Sequence, residues 1–575
     1  MPTLRLLWPY LQIYRSALCW GLAWLIITDL LGLLLPWMLK VGIDAVQQGN
    51  HQLLMLSAAV LAGAALVRFL TRLVSRFAFL RTACRIEVDL RRDLLVRLLQ
   101  QDASFFDTHR TGDLLSRFTN DLSNIRTMAG FGLLILINTL FVYVMTLVLL
   151  MALSPSLTLL ALIPFPLLLL IVKRLSARLL RASGEVQKRL GKISETIEES
   201  VAGQAVIRSY GLHEVYGTSF ARDNENYLES NLVLARLRSL VGPVMAIIAP
   251  LATLLILYFG GIKVANGRMT LGELVAFNAY LMQLAMPTLM VGWVLSLAQR
   301  AAASVERLGF LLHRPGEKTT GEEIGPESAP AVAIRSLSFA YGKEPVLKNV
   351  DLEVPAGSLI GVTGPAGSGK STLLYLLAGL YPQREGKIYI GGRELSSLDL
   401  EAHRRRLAVV FQEGRLFSGS LRENLLYAVP DGSDALARQV AATVGLEKDI
   451  AGFPEGFDTL VGEGGKTLSG GQRQRVALGR AVARGGNLWL LDDPFSHLDA
   501  GTARDVWVAL RPLLRETTVF MITSRVPLLA EADRIVVLEN GEVTELGRHD
   551  ELAGGGGYYA GMVERERLRQ ELEGF

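Results

Sequence analysis

The stretch "SLIGVTGPAGSGKST", residues 358–372, decides how this chain is read. A β-rich run ends in G-x-x-x-x-G-K-[ST] and a helix-like run follows, the context in which this pattern forms a phosphate-binding loop. Gly364, Gly367 and Gly369 let backbone N–H groups close around phosphate oxygens at a helix N-terminus. Lys370 supplies a point charge to the β/γ phosphates, Ser371 a hydroxyl to magnesium, and Thr372 a second hydroxyl at the helix start.

Working outward, short β-rich runs alternate with helical ones: "KIYIGG", "RLAVVFQ", "NLWLLDD", "TTVFMITS" and "DRIVVLENGEV". This alternation predicts a soluble α/β domain over 331–575 with a largely parallel sheet. Asp492 closes the run "LWLL" some 120 residues after the phosphate loop, where a carboxylate reaches that magnesium through water. The tail "MVERERLRQELEGF" reads as a helix after "GGGG", 554–557, which reads as a flexible joint.

The N-terminal half has another character. At 575 residues the chain exceeds one hydrophobic core. Half of its residues are hydrophobic, 20% are charged, and the mean hydropathy is +0.32, so part of it belongs in lipid. Six runs before residue 300 have the roughly 20 apolar residues that cross a bilayer: 18–39, 52–74, 131–153, 157–172, 239–261 and 271–298. The two long separators carry most of the arginines, among them Arg76, Arg85 and Arg92 in one and Arg174, Arg178 and Arg189 in the other. Positive-inside bias places both separators and both chain ends in the cytoplasm, and "RIEVDLRRDLLVRLLQQ" keeps a helical period outside the membrane. The N-terminal "MPTLRLLWPYLQIYRS" reads as a retained lead-in rather than a cleaved signal. The segment 313–330, rich in Gly, Pro and acids, reads as a linker.

A net charge of +4 gathered beside apolar spans, without a basic, aromatic-interleaved module, argues against nucleic acid as a partner. Cys19 and Cys84 have no ligand-spaced neighbours, so neither a disulfide framework nor a zinc site is expected.

"LSGGQRQRVALGRAVA", 468–483, resembles the signature of ATP-binding-cassette proteins, and the rest of the set falls in that family's order. Tyr341 in "SFAYG" is similar to the residue that stacks on adenine, Gln412 in "VVFQEG" to the Q-loop glutamine, which reaches Mg2+, Glu463 to the loop ahead of the signature, and Asp499 in "SHLD" to the D-loop. The membrane half resembles exporters with six spans fused to one ATPase domain (type IV ABC exporter-like), and "FFDTHRTGDLLSRFTND", 105–121, is similar to the segment around their first coupling helix. More narrowly, the whole chain resembles bacterial multidrug half-transporters that pair as heterodimers. The resemblance implies a multi-pass protein of the bacterial cytoplasmic (inner) membrane with ATP and Mg2+ as cofactors, membrane lipids and a lipophilic small molecule as partners, and a second half-transporter beside it. It also implies that Leu468, Ser469, Gly470, Gly471, Gln472 and Asp499 serve a nucleotide bound to that second chain.

Two positions depart from the family pattern. Asp493 stands where the family has a glutamate that polarises the attacking water, and Ser524 in "MITSRV" where it has the switch histidine. Two departures at one γ-phosphate imply that this chain's own site binds ATP and hydrolyses it poorly, while its signature serves a partner. His497 faces the dimer seam and is not expected to replace the missing imidazole. A homodimeric lipid flippase with a slow site and a nucleotide-gated, non-transporting regulator are the alternatives.

In the membrane half, Asp29 reads either as a cavity carboxylate that attracts cationic drugs or pairs with another span, or as an acid near the outer end that reaches headgroups, since a charge at that depth is costly. Asn138, Asn278 and Gln283 are expected to bond between helices rather than to contact a drug, and Met282, Met286 and Met290 to pack ordinarily, with an adaptable lining as the alternative.

Overall fold

The computed structural model describes residues 2–317, 321–322, 329–465 and 467–573. Half of the linker 313–330 lies outside the described residues. Two compact units form: one comprises 1–96 and 114–313, the other 97–113 and 314–575.

The first unit is helical. Its long helices are Arg15–Gln47, His51–Leu99, Thr111–Leu153, Pro164–Ala202, His213–Leu255 and, after the short helix Leu271–Gln283, Ala285–Leu312. Among the described residues four passages are long and apolar enough to cross a membrane: 15–47, 51–99, 111–153 and 271–312. The fourth and fifth expected spans differ. A turn at Ile163 splits the fourth between helices Pro155–Leu162 and Pro164–Ala202, in keeping with Pro164, whose nitrogen has no hydrogen to donate. The side chains of 164–170 and 244–249 lie outside the described residues, and the fifth is represented by the apolar helix Pro250–Ala265. The arginine-rich separators do continue as helices, the first within the 49-residue helix His51–Leu99.

Helix 51–99 leaves Leu66, Phe69, Leu70, Leu73 and Phe77 exposed along its length, a surface suited to hydrocarbon, where an α-helix satisfies its own backbone. Inside, Leu33, Leu150, Leu157, Ile256, Phe277 and Tyr280 form one apolar cluster. Polar pairs tie the helices together. The Asn138 amide donates to Asp29 at 2.7 Å, Thr253 donates to Asn278 at 3.0 Å, and Gln283 donates to the Gly32 carbonyl at 2.9 Å, so all three amides bond between helices as expected. Asp121, 2% exposed, accepts from Ser304 at 2.8 Å and from Arg307 Nε at 2.9 Å.

Among the described residues of the second unit, twelve strands form three sheets. Strands β1 (Val332–Ala340), β2 (Pro345–Val354), β4 (Glu385–Ile390) and β5 (Arg393–Glu394) make an antiparallel sheet ordered β2-β1-β4-β5. Strands β3 (Leu359–Thr363), β6 (Leu407–Val410), β9 (Leu488–Asp492), β10 (Thr518–Ile522), β11 (Arg534–Glu539) and β12 (Glu542–Gly547) make a second sheet ordered β12-β11-β3-β10-β9-β6, with β12 its antiparallel edge. The ribbon of β7 (Gly419–Ser420) and β8 (Leu460–Val461) completes the set. All six β-rich runs are strands, but "KIYIGG" belongs to the antiparallel sheet: Ile388 and Ile390 face the core through pairing with β1. β9 and β10 are buried along their whole length, as strands covered on both faces are.

The glycine run at 554–557 is more than a joint. A Cβ at Gly557 would lie 2.3 Å from Glu545 Oε1, an atom that also accepts the N–H of Tyr558, so the turn docks the helix Tyr558–Glu573 onto β12.

Candidate nucleotide site

Register brings the expected residues to one sheet edge. Val362 of β3 is paired with Ile522 of β10, and Ile522 with Asp492 of β9. The loop after β3, the acids after β9 and the turn after β10 therefore leave the sheet side by side at its carboxyl end, where open α/β sheets bind ligands. Thr523 N–H donates to Val362 O at 3.2 Å and Asp493 N–H to Ile522 O at 3.0 Å, which extends the ladder into the loops.

The loop 364–369 has the backbone that only glycine takes readily. Gly364 has φ +139°, and a Cβ there would lie 2.0 Å from the Leu538 carbonyl oxygen; Gly369, at φ +96°, precedes the helix Lys370–Leu377. Gly367 also has positive φ. Lys370 Nζ donates to the carbonyls of Gly364 at 2.9 Å and Pro365 at 2.6 Å and to Ser368 Oγ at 3.2 Å, so the ammonium lies inside the loop. Burial pushes its pKa down, against the nearby Asp492 and Asp493 carboxylates. Thr372 is buried and its hydroxyl meets the Tyr341 hydroxyl at 3.1 Å. The Tyr341 ring is 48% exposed and packs edge-on against Phe339 and Tyr381.

Asp492 is 2% exposed. Burial raises its pKa, a hydrogen bond from Ser371 opposes this, and its Oδ2 has no partner among the described residues. A buried, orphaned carboxylate oxygen beside a hydroxyl is the all-oxygen donor set of a hard divalent cation such as Mg2+. Gln412, two residues beyond Val410, leaves the edge strand next to β9 and is exposed. It borders a cavity of about 780 Å³ lined also by Gly470, Gln474 and His497.

Asp493 is half-buried and sits at φ +47°, in the left-handed region. Burial raises its pKa, and the charges of Arg525, His497 and Lys370 oppose the rise. Its main chain is held from both sides, the N–H by Ile522 and the carbonyl by Gln474 Nε2 at 2.6 Å. Ser524 is exposed on the adjoining turn.

The chemistry at the signature is of another kind. Ser469 caps the helix Gly470–Arg484 in a reciprocal box: its Oγ accepts Gln472 N–H at 3.2 Å, and Gln472 Oε1 accepts Ser469 N–H at 2.9 Å. Gln472 Nε2 also reaches Asp449 at 2.8 Å, and Leu468 is buried beneath. The first turn presents the Gly470 and Gly471 N–H groups at the positive end of the helix. Both glycines lie against His497, whose carbonyl oxygen would be 3.0 Å from a Cβ at Gly471. His497 Nδ1 lies 3.1 Å from Ser496 Oγ and 3.2 Å from Gln474 Oε1. Asp499 caps the helix Ala500–Leu514 by accepting Thr502 N–H at 2.9 Å; that group holds its pKa below the usual carboxylate range.

The ABC transporter transmembrane region model matches residues 18–288, and the ABC transporter model matches 347–496. The multidrug resistance-like ATP-binding protein MdlA of Escherichia coli is 31% identical over 575 residues, covering 99% of this chain and 97% of that protein. The chain is an ABC exporter. It carries a transmembrane region fused to an ATP-binding region. An ATP-dependent lipid A-core flippase of Photobacterium profundum is 29% identical over 97% of each chain. The structure of a bacterial Atm1-family ABC exporter with ATP bound superposes with TM-score 0.82 at 24% identity over 96% of this chain and 99% of that one, which establishes the shared fold.

Three residues of the exporter's site were not singled out from sequence. Gln474, 2% exposed, donates to Asp493 O and to Ser496 Oγ at 3.0 Å and accepts His497 N–H at 2.8 Å, joining the signature helix to the acid pair. Arg525 donates to the carbonyls of Phe495 at 2.8 Å and Leu498 at 2.5 Å, fastening the β10 turn to the loop before Asp499. Tyr381 donates to Asp107 at 2.8 Å, and Ala103 N–H to Leu380 O at 3.1 Å, so the segment 97–113 packs with residues of the ATP-binding region. A sequence motif marks their neighbours Gln472 and Ser524, whereas only packing marks these three.

Proposed function

We propose that this chain is one subunit of an ATP-driven exporter of lipophilic or amphiphilic compounds in the bacterial cytoplasmic membrane, paired with a second half-transporter whose ATP site does most of the hydrolysis. The membrane domain is 1–312, the linker 313–330 and the cytoplasmic ATPase domain 331–575. Relatives named for multidrug resistance and for lipid A-core flipping support the substrate class.

The observation that carries the asymmetry is the pair Asp493 and Ser524 on the sheet edge beside an intact "LSGGQ". Asp493 is one methylene short of a glutamate, and its main chain is anchored at both its N–H and its carbonyl, so it has little freedom to make up the reach. Serine brings neither the length nor the charge of imidazole. In this reading Tyr341 stacks on adenine, the loop 364–369 with Lys370 and Thr372 holds the phosphates, and Ser371, Asp492 and Gln412 hold Mg2+, which neutralises phosphate charge when bound. Leu468–Gln472 and Asp499 face the nucleotide of the other subunit. ATP favours the closed pair of ATPase domains, and that preference is the free energy passed to the membrane helices.

The test is ATPase activity of the purified chain in lipid, alone and with the half-transporter encoded beside it. Strong turnover only in the mixture is the expected result. Full turnover of the chain alone would favour the homodimeric flippase, the second reading, which the 29% identity over 97% of a lipid A-core flippase supports. Nucleotide binding without solute-stimulated turnover in either preparation would favour a regulator.

A further inference from the structure

A cavity of about 350 Å³ in the membrane unit is lined by Asp29, Arg72, Arg76, Asn138, Met286 and Met290. The volume lies at the lower end of the range for small-molecule sites. The two methionines, expected to pack ordinarily, line it instead: Met286 is 65% exposed, and a thioether adapts to varied apolar shapes.

The charge of this cavity is opposite to what its single carboxylate implies. Asp29 is 3% exposed and already supported, because Asn138 donates to Oδ1 at 2.7 Å and the charges of Arg68 and Arg72 act on it. Arg68, Arg72 and Arg76 recur every fourth residue on helix His51–Leu99, so they share one face and repel one another. Arg68 lies against the first helix, where a Cβ at Gly32 would meet its guanidinium at 2.8 Å, and it stands with Asp29. Arg72 and Arg76 border the cavity, and among the described residues Arg76 has no hydrogen bond or ion pair. Arg72 and Arg76 are exposed where they border the cavity, and two guanidiniums against one carboxylate leave its lining net positive, a charge that an anion balances. Asp29 Oδ2, buried without a partner, remains as an acceptor for a hydroxyl or amide hydrogen.

We infer that this cavity binds the anionic head of an amphiphile, a carboxylate, sulfonate or phosphate on an apolar tail, with Arg72 and Arg76 facing the anion, Met286 and Met290 the tail, and Asp29 selecting a neighbouring donor. The inference rests on the export reading for its purpose, but the binding it describes is read without ATP.

The experiment places the full-length chain in nanodiscs of zwitterionic phosphatidylcholine and titrates three dansyl probes of equal chain length: an undecanoic acid in its ionised form, its methyl ester and an undecylammonium. The acid is expected to bind at least about tenfold more tightly than either other probe, a comparison that needs no mutation. Arg72→Gln with Arg76→Gln should bring the acid to the level of the ester, and the corresponding double lysine variant should restore most of the difference. Asp29→Asn should leave the acid bound as tightly or more tightly. Preference for the ammonium, loss of ammonium binding in Asp29→Asn, or equal binding of all three would overturn the inference. Displacement of the acid by phosphatidylglycerol in the disc would assign the anion to the bilayer, and its absence to a compound from the aqueous phase; either is consistent with an anion site. A chain that binds the acid but exports nothing when joined to its partner would refute the export reading alone.

Discussion

The ATPase edge and the membrane cavity each bury an aspartate near positive charge, but the backbone arranges only one of them. At the ATPase edge, strand register puts Asp492 next to Ile522 and Val362, and the left-handed glycines of the loop then bring Lys370 toward it. In the membrane unit, Asp29 meets Asn138 and the arginines of helix 51–99 only because three helices pack at the right rotation. The contrast shows that a site made by main chain tolerates little change in its loop residues, whereas a site made by helix faces can change its chemistry one side chain at a time.

The sharpest way to break the picture of the ATPase edge is to compare acids across the two subunits. In the proposed heterodimer, replacing the glutamate expected at the partner's catalytic position should lower turnover by about 10²–10⁴-fold, and Asp493→Asn should change it less than about twofold. Equal losses in steady-state ATPase assays would remove the asymmetry. Lys370→Ala tests the loop itself: nucleotide affinity at this chain's own site should fall by about 10–100-fold, as expected for losing charge-assisted bonds, and unchanged equilibrium binding would reject its assigned role.

A smaller effect tests whether the signature and the acid pair form one piece. Gln474→Leu leaves Asp493 O and His497 N–H without their partner, and should cost about 1–3 kcal/mol, read as a lowered unfolding midpoint of the ATPase unit. An unchanged midpoint would mean that the join contributes nothing. The smallest is Tyr381→Phe, which deletes one partly exposed hydroxyl bond to Asp107 and should cost about 0.5–1.5 kcal/mol, with nucleotide affinity intact and drug-stimulated turnover reduced. Intact stimulation would show that the hydroxyl is not part of the coupling contact.

Much of the ATPase edge was legible because its chemistry depends on spacing along the chain. "GPAGSGKST" requires its own turn, "LSGGQ" its own cap, and the apolar run before Asp492 its own strand. Gln474 and Arg525 escaped notice since their partners are carbonyls and amides brought near by folding, and a backbone group leaves no mark in the sequence. The antiparallel placement of "KIYIGG" was hidden for a related reason: alternation shows which face of a strand is buried but not which strand pairs with it. In the membrane half, length and apolarity located the helical passages, but the turn at Ile163 and the cavity lining of Met286 did not follow from hydropathy. Asp29 was visible as an expensive residue, yet the sign of its surroundings required knowing that Arg72 and Arg76 share its cavity.

The segment 97–113 has a consequence for how the protein is made. Phe105 is fully buried, with the Arg314 guanidinium 5.0 Å from its ring centre, and Asp107 binds a residue 274 positions further along. A ribosome adding about 5–20 residues per second reaches that residue roughly 15–55 s after Asp107 has been synthesised. For that interval Phe105 waits without all of the surface that will cover it. Slowing translation between residues 113 and 380 should therefore lower the yield of folded exporter more than slowing it after Tyr381 is made.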